Sequence, residues 1–421
     1  MFRGLEGGAG SGDESDDSML IILTTHPIQY QVPLWQALAK DGRVPFEVWY
    51  LTHHAVQTSH DAEFGQAFAW DLDMLGGYPH RRLPVAAGAT PTTFRQCRVT
   101  EPLGPMLRQA GARVVWVQGW QVQAYWQAVW AAKRAGCEVW LRGESNDLAP
   151  VAWWKQPIKR LLLGQFFRRV DRFLYIGTAN KRFYQKFGVP ESRLHPAPYA
   201  VDNDRFATQA DEARKQRAEV RKQWGIAEDA FCVMFCGKFI PKKRPMDVVT
   251  AAAQLTQAGR KVHLLFVGSG ELGGELRAAC HVVSDAEDFN FQLSTFNSHL
   301  PPASFAGFLN QREISAAYVA ADCLALPSDY GETWGLVANE AMASGLPCVL
   351  SDHCGCAEDL GIIPPNQIFP CGDTEALAGR LARLAQPAER PRFAPGSLES
   401  FSFASSVQAV CSLAARFSAP R

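Results

Sequence analysis

The stretch Asp322–Leu350, DCLALPSDYGETWGLVANEAMASGLPCVL, decides the fold. Asp322–Leu326 is a short apolar run closed by a proline, which reads as a buried strand. Leu336–Ser344 carries small and apolar residues at helical spacing, and Gly345 stands where a helix C-terminus favours glycine. Pro347–Leu350 is a second apolar run of strand length. Strand, loop, helix and strand in that order form the repeating unit of a parallel α/β sheet. The unit also holds two acids, Glu332 and Glu340. In one continuous helix they would stand about 12 Å apart along the axis and about 80° apart around it, on different faces. With the helix starting near Trp334 or Gly335, Glu332 precedes its N-terminus and Glu340 falls in its second turn. Both acids can then face one cleft, with the N–H groups of the helix start between them to favour an anion. Hydroxyls at both ends and phosphate in the middle describe a nucleotide sugar. The spacing fits equally one capping acid and one surface acid.

The same alternation extends outward. Before residue 197, strands are expected at Met19–Thr24, Phe46–Leu51, Val114–Val117, Glu138–Leu141 and Arg172–Ile176, with helical spacing between them. HPAPY at 195–199 reads as a linker, and 207–224 as a charged helix. Strands resume at Phe231–Cys236 and Val262–Val267, with helices at Met246–Ala258 and Glu313–Ala320. The expected architecture is α/β: two Rossmann-like domains, 19–197 and 205–390, facing each other across a cleft. Residues 1–18, Gly-rich and acidic, read as a disordered tail. The segment 397–421 contains an expected helix, Ala404–Phe417, that crosses back to the first domain.

Composition narrows the function. The chain has 421 residues, 47% hydrophobic and 20% charged, with formal net charge +0, which argues against a general nucleic-acid binder. It shows no signal-peptide pattern and no apolar run of membrane-spanning length. Its 11 cysteines are scattered without CxxC pairs, as suits a reducing cytoplasm. His353, Cys354 and Cys356 form the nearest metal-like cluster but lack a second ligand pair, so no metal is expected.

Three post-strand loops carry the chemistry. Thr25–Tyr30 (THPIQY) has none of the glycines that bring backbone close to phosphate. It suits the wall of an acceptor pocket, or a turn with a buried histidine. Gly237–Pro245 (GKFIPKKRP) places four bases between a strand and a helix, where lysines can hold an anion or simply face solvent. Gly268–Gly273 (GSGELG) matches G-x-G-x-x-G literally, with Asp285, Glu287 and Asp288 as downstream acids. The match lies on the second strand of its domain, which weakens a dinucleotide reading. Backbone amides near some other phosphate are the competing account.

The run SDYGETWGLVANEAMASGLPCVLSD, with GKFIPKKRP and VGSGEL, resembles the signature segments of the family 4 retaining glycosyltransferases, which have the GT-B fold. THPIQYQVPLW, LRGESNDL and YIGTANKRFYQKFGV resemble a bacterial subgroup. The resemblance implies that Lys238 and Lys243 neutralise a donor diphosphate. It implies further that Glu332 holds hydroxyls of the transferred sugar, Glu340 holds ribose hydroxyls, and Gly268 and Gly270 lie by the donor. Lysines then stabilise the leaving group without a metal or other cofactor. The chain departs from the pattern at Lys238, where arginine is usual, and at Arg142-Gly143-Glu144, where many members have a histidine. His26, Gln29, Arg142 and Glu144 are therefore all candidates for the acceptor side.

Residues 153–172 (WWKQPIKRLLLGQFFRRVDR) interleave bases with large apolar residues. This fits a helix with one face on its domain, or peripheral contact with the inner face of a membrane near a lipid-linked acceptor. The leading expectation is a cytoplasmic enzyme moving a sugar from a nucleotide sugar to a glycan, lipid-linked or other acceptor. An NAD-dependent two-domain oxidoreductase and a non-catalytic nucleotide-sugar binder are the alternatives.

Overall fold

The computed structural model describes residues 19–52, 73–91, 93–150, 152–287, 300–386, 393–394 and 396–416, with the backbone of a small hairpin at 59–61 and 66–68. The tail read at 1–18, and Asp288, lie outside the described residues.

Two seven-stranded sheets organise the chain. The first runs in the order His80–Arg82, Phe46–Tyr50, Met19–Thr24, Ala112–Val117, Glu138–Leu141, Arg172–Tyr175, Leu194–Pro196. The second runs His281–Asp285, Pro302–Phe305, Val262–Val267, Phe231–Cys236, Cys323–Leu326, Cys348–Ser351, Gln367–Phe369. Every pairing within them is parallel. In each sheet the order reverses beside the first strand. Leu20 pairs with Phe46 on one side and Val114 on the other. Met234 pairs with Leu265 and with Leu324. A crevice opens at such a reversal, beyond the carboxyl ends of the strands.

The central strands are predominantly apolar because both faces are covered. Successive side chains point to opposite faces. Leu20 and Ile22 enter one layer with Trp35 and Trp116, while Ile21 and Leu23 enter the other with Val115 and Val129. Phe231–Cys236 divides likewise. Phe231, Val233 and Phe235 pack with Val248 and Leu255, and Cys232, Met234 and Cys236 pack with Ala317 and Ala338. The last described helix, Phe403–Ala414, leaves the second half and buries Val407, Val410 and Leu413 against the first sheet beside Trp35.

The elements differ from expectation mainly at the sheet margins. His80–Arg82, Leu194–Pro196, His281–Asp285, Pro302–Phe305 and Gln367–Phe369 join the sheets although none is a clear apolar run. Leu194–Pro196 takes up part of HPAPY as an edge strand, where proline is tolerated. The charged segment after it is two helices, Asn203–Arg214 and Arg217–Gln223.

Named contacts hold the halves together. The Thr178 hydroxyl and amide donate to Asp359 at 2.7 and 2.9 Å. Arg182 bridges Asp147 and Glu358. Trp334, buried, reaches Gly177 from across the cleft. A Cβ on Gly177 would overlap the Trp334 ring and come within 2.7 Å of Asp359 Oδ2. Its backbone is extended, so the glycine is required by space and not by φ. Gly177→Ala should therefore cost about 1–3 kcal/mol, read as a lower urea midpoint, whereas an unchanged midpoint would show that this contact is slack.

Candidate active site

Between the sheets lies a cavity of about 530 Å³, and loops from both halves wall it. The basic loop follows strand Phe231–Cys236 and the acidic loop follows strand Cys323–Leu326. A backbone bond from Asp329 N–H to the Lys242 carbonyl, 2.9 Å, ties the two together. Lys238, Lys242 and Lys243 line the cavity from the first loop, and Glu332 from the second. Lys243 and Glu332 form an ion pair, and Ser328 Oγ donates to the same carboxylate oxygen at 3.4 Å. Burial pulls the Lys243 ammonium down, but the charge and hydrogen bond of Glu332 outweigh it and hold the ammonium above its usual range.

Glu340 lies deeper, in the second turn of helix Leu336–Ala343, and is almost fully buried. Tyr318 Oη donates to its Oε2 at 2.7 Å. Arg205, on the Asp202-capped helix Asn203–Arg214, lines the cavity and holds Gln311 by its carbonyl (2.9 Å) and Oε1 (2.6 Å). Burial pushes the Glu340 carboxyl above the ordinary carboxylate range, against the hydrogen bonds of Tyr318 and Gln311 and the charge of Arg205. Arg244, just after Lys243, has φ 51, the sole positive φ outside glycine among the described residues. Its guanidinium is held by Asp247 at 2.7 Å.

The glycine motif stands behind the basic loop. Gly268 and Gly270 have φ +121 and +154, and neither lines the cavity. A Cβ on Gly270 would fall 2.7 Å from both Phe239 N and O, and one on Gly268 would overlap the Gly237 carbonyl. These glycines allow two backbones to touch and so set where Lys238 lies. Of the acids tied to the dinucleotide reading, Asp285 and Glu287 both bind Arg277, at 2.5 and 2.9 Å.

A second cavity, about 340 Å³, opens on the first half and shares Tyr30, Glu144 and Thr333 with the first. His26 lines it, and Gln29 lines the larger cavity. Glu144, half-buried, lines both and accepts from Tyr199 Oη. Burial raises its carboxyl, opposed by the Tyr199 hydrogen bond and the Arg142 charge. Arg142 lines neither cavity. It is buried behind the ring of Tyr199, 4.7 Å from its centroid, and donates to the Pro198 carbonyl at 3.3 Å. Cys354, from the metal-like cluster, points its thiol at the Leu326 and Ser328 carbonyls. Among the described residues, no three of His, Cys, Asp and Glu converge to hold a metal.

Sequence reasoning did not single out Arg205, Gln311, Tyr30 or Tyr199. Tyr30 was within reach, since it closes the polar loop after the first strand. Arg205 was not, because the tertiary packing of its helix aims it.

Comparison with known proteins gives one direction. Residues 29–200 match the "Glycosyl transferase 4-like domain" family and residues 216–392 the "Glycosyl transferases group 1" family. The D-inositol 3-phosphate glycosyltransferase of Nocardia farcinica is 31% identical over 192 residues, 45% of this chain and 39% of that protein. The 2-deoxystreptamine glucosyltransferase of Streptomyces kanamyceticus is 28% identical over 200 residues, 47% of each. Each match thus represents less than half of its relative. HepE of Anabaena, solved with UDP and glucose, superposes with TM-score 0.62 at 15% identity, covering 94% of this chain and 99% of that one. Sucrose-phosphate synthase of Thermosynechococcus elongatus gives 0.64 at 17%, covering 95% and 99%. At such identities the likeness is one of fold: both sheets and their interleaved helices match GT-B structures.

Glu340 supplies a pH test. Its folded pKa is raised, so from its ordinary 4.5 upward the folded state binds more protons than the unfolded state, and this carboxyl lowers stability as pH rises. Glu340→Gln should melt increasingly above the wild type as pH climbs from that value, and a pH-independent difference would contradict the assignment.

Proposed function

The chain belongs to the group 1 glycosyl transferases, and from that membership we propose that it moves a sugar from a nucleotide-sugar donor to an acceptor hydroxyl with retention at the anomeric carbon. One observation carries the reading: Lys238, Lys242, Lys243 and Arg205 meet Glu332 and Glu340 in a single cavity. Cations beside carboxylates suit a ligand with an anionic centre and hydroxylated ends.

In this reading the diphosphate lies against the lysines, Glu332 accepts from hydroxyls of the sugar, and Glu340 accepts from the ribose. The Glu332 carboxylate keeps Lys243 charged, and a phosphate oxygen offers that ammonium a second acceptor. As the bond between the anomeric carbon and the diphosphate breaks, negative charge grows on the leaving oxygen where the lysines stand. The acceptor oxygen bonds to the anomeric carbon, and its proton ends on the departing diphosphate.

Hydrogen bonds to charged groups contribute roughly 1.5–3 kcal/mol each. Lys243→Ala should therefore weaken binding of the best of UDP, GDP and ADP by about tenfold to a hundredfold in calorimetry. Glu332→Ala should cripple transfer under saturating donor in a protein that still melts cooperatively. Unchanged nucleotide affinity in the first variant, or near-normal turnover in the second, would remove that residue from the site. The lysines provide the charge, so a chelator should leave turnover intact, and loss restored by Mg²⁺ would overturn this.

A separate exposed surface is formed by helix Gln156–Phe167 and the turn before it. Trp153 (83% exposed), Trp154, Ile158, Leu161 and Leu162 all face outward among Lys155, Lys159 and Arg160. No helix among the described residues is long and apolar enough to cross a membrane. Apolar side chains ringed by bases suit contact with an anionic membrane surface. The protein should float with vesicles containing phosphatidylglycerol, and Leu161→Glu with Leu162→Glu should abolish flotation. Flotation unaffected by that pair would locate the contact elsewhere.

A further inference from the structure

The two acceptors named among the relatives differ in carrying a phosphate, and the smaller cavity bears on that difference. We propose that this cavity is the acceptor site and takes a polyhydroxylated ring that carries no phosphate, an inference that rests on the glycosyl-transfer reading above.

The cavity adjoins the larger one through Tyr30, Glu144 and Thr333, so a ring seated in it can reach a sugar held beside Glu332. Its wall offers neutral hydrogen-bonding groups, among them Thr25, Gln118 and Gln121, and an aromatic face, Trp120. The apolar C–H face of a ring suits that indole while its hydroxyls meet the amides. Gln118 is 7% exposed, and its side-chain nitrogen has no partner. A buried donor left unmatched costs stability, and a ligand hydroxyl would satisfy it.

A phosphate needs cations or free backbone N–H groups, and among the described lining residues the one side chain that can carry positive charge is His26, whose Nδ1 already lies 2.9 Å from Thr25 Oγ1. No lysine or arginine is among the described lining residues. Arg142 is turned away behind Tyr199 and donates to the Pro198 carbonyl. The helix starts beside the cavity have already used their amides. Gln31 and Val32 donate to the Ile28 carbonyl, Gln123 to that of Phe94, and Ala124 to that of Cys97. The acid on the wall, Glu144, would repel a phosphate. The contrast with the larger cavity is internal to the molecule, since there Lys238, Lys242, Lys243 and Arg205 gather on one space.

The test uses the full chain saturated with whichever of UDP, GDP or ADP it binds. Binding is then measured by calorimetry and saturation-transfer NMR for matched pairs: myo-inositol with D-inositol 3-phosphate, and D-glucose with glucose 6-phosphate. The unphosphorylated member of at least one pair should bind, about tenfold or more tighter than its partner, the scale of one unfavourable charge contact in a half-buried site. Gln118→Leu should weaken that binding. Equal or tighter binding of the phosphorylated members, or binding of none of the four by a nucleotide-loaded protein, would overturn the proposal. Failure to bind any nucleoside diphosphate, seen in the first step, would instead strike the donor-site reading, and the proposal would fall with it.

Discussion

The structure depends on where Trp334 sits. It belongs to the acidic loop of the second half, yet its ring is buried against Gly177 of the first. Its indole N–H donates to Asn339 at 2.8 Å, which anchors it to the start of the helix that carries Glu340. Tyr199 and Phe401 flank it at 6.3 and 6.0 Å between centroids. Glu332 is two residues before this anchor and Glu340 six after it. One buried side chain therefore sets the depth of both acids and the spacing of the halves. A smaller residue would leave a cavity at the junction, and the loop would lose its reference point.

Charge is distributed around that anchor with the same economy. The basic loop needs Gly268 and Gly270 behind it so that two backbones can touch. It needs the Asp329–Lys242 bond to hold it beside the acids. With both in place, cations and carboxylates meet without collapsing into exposed salt bridges, because each carboxylate has a neutral partner as well: Ser328 for Glu332 and Tyr318 for Glu340. The smaller cavity next door is built mostly from amides, hydroxyls and an indole, with His26 and Glu144 on its wall.

What the sequence made legible follows from burial. MLIILT and FCVMFC stand out because both faces of each strand are covered, so nearly every position is apolar. His80–Arg82 and Gln367–Phe369 end their sheets and need no such run, and they escape notice. The reading of HPAPY as a linker missed that an edge strand can spare the N–H groups that proline removes. In the site, the lysine and glutamate positions could be read because strand, loop and helix order fixes them locally. Arg142 could not be placed that way: its place where many family members have a histidine suggested the cleft, and only tertiary packing reveals that Tyr199 covers it. The literal G-x-G-x-x-G was legible as a pattern, but its partner is another backbone, which no motif encodes.

The chain passes between the halves twice, once near Pro198–Asn203 and once near Phe401–Ser406. The two passages lie side by side: Asn203 Nδ2 donates to the Phe401 carbonyl at 3.0 Å, and Ser406 Oγ donates to the Pro198 carbonyl at 2.8 Å. Two antiparallel covalent straps stitched together behave like the spine of a book. They resist sliding or twisting of one cover on the other. The remaining bridges named between the halves are non-covalent: those at Asp359 and Glu358, and the buried Trp334 ring against Gly177. The stitched straps thus hold the lysines and acids of one cover in register against the other.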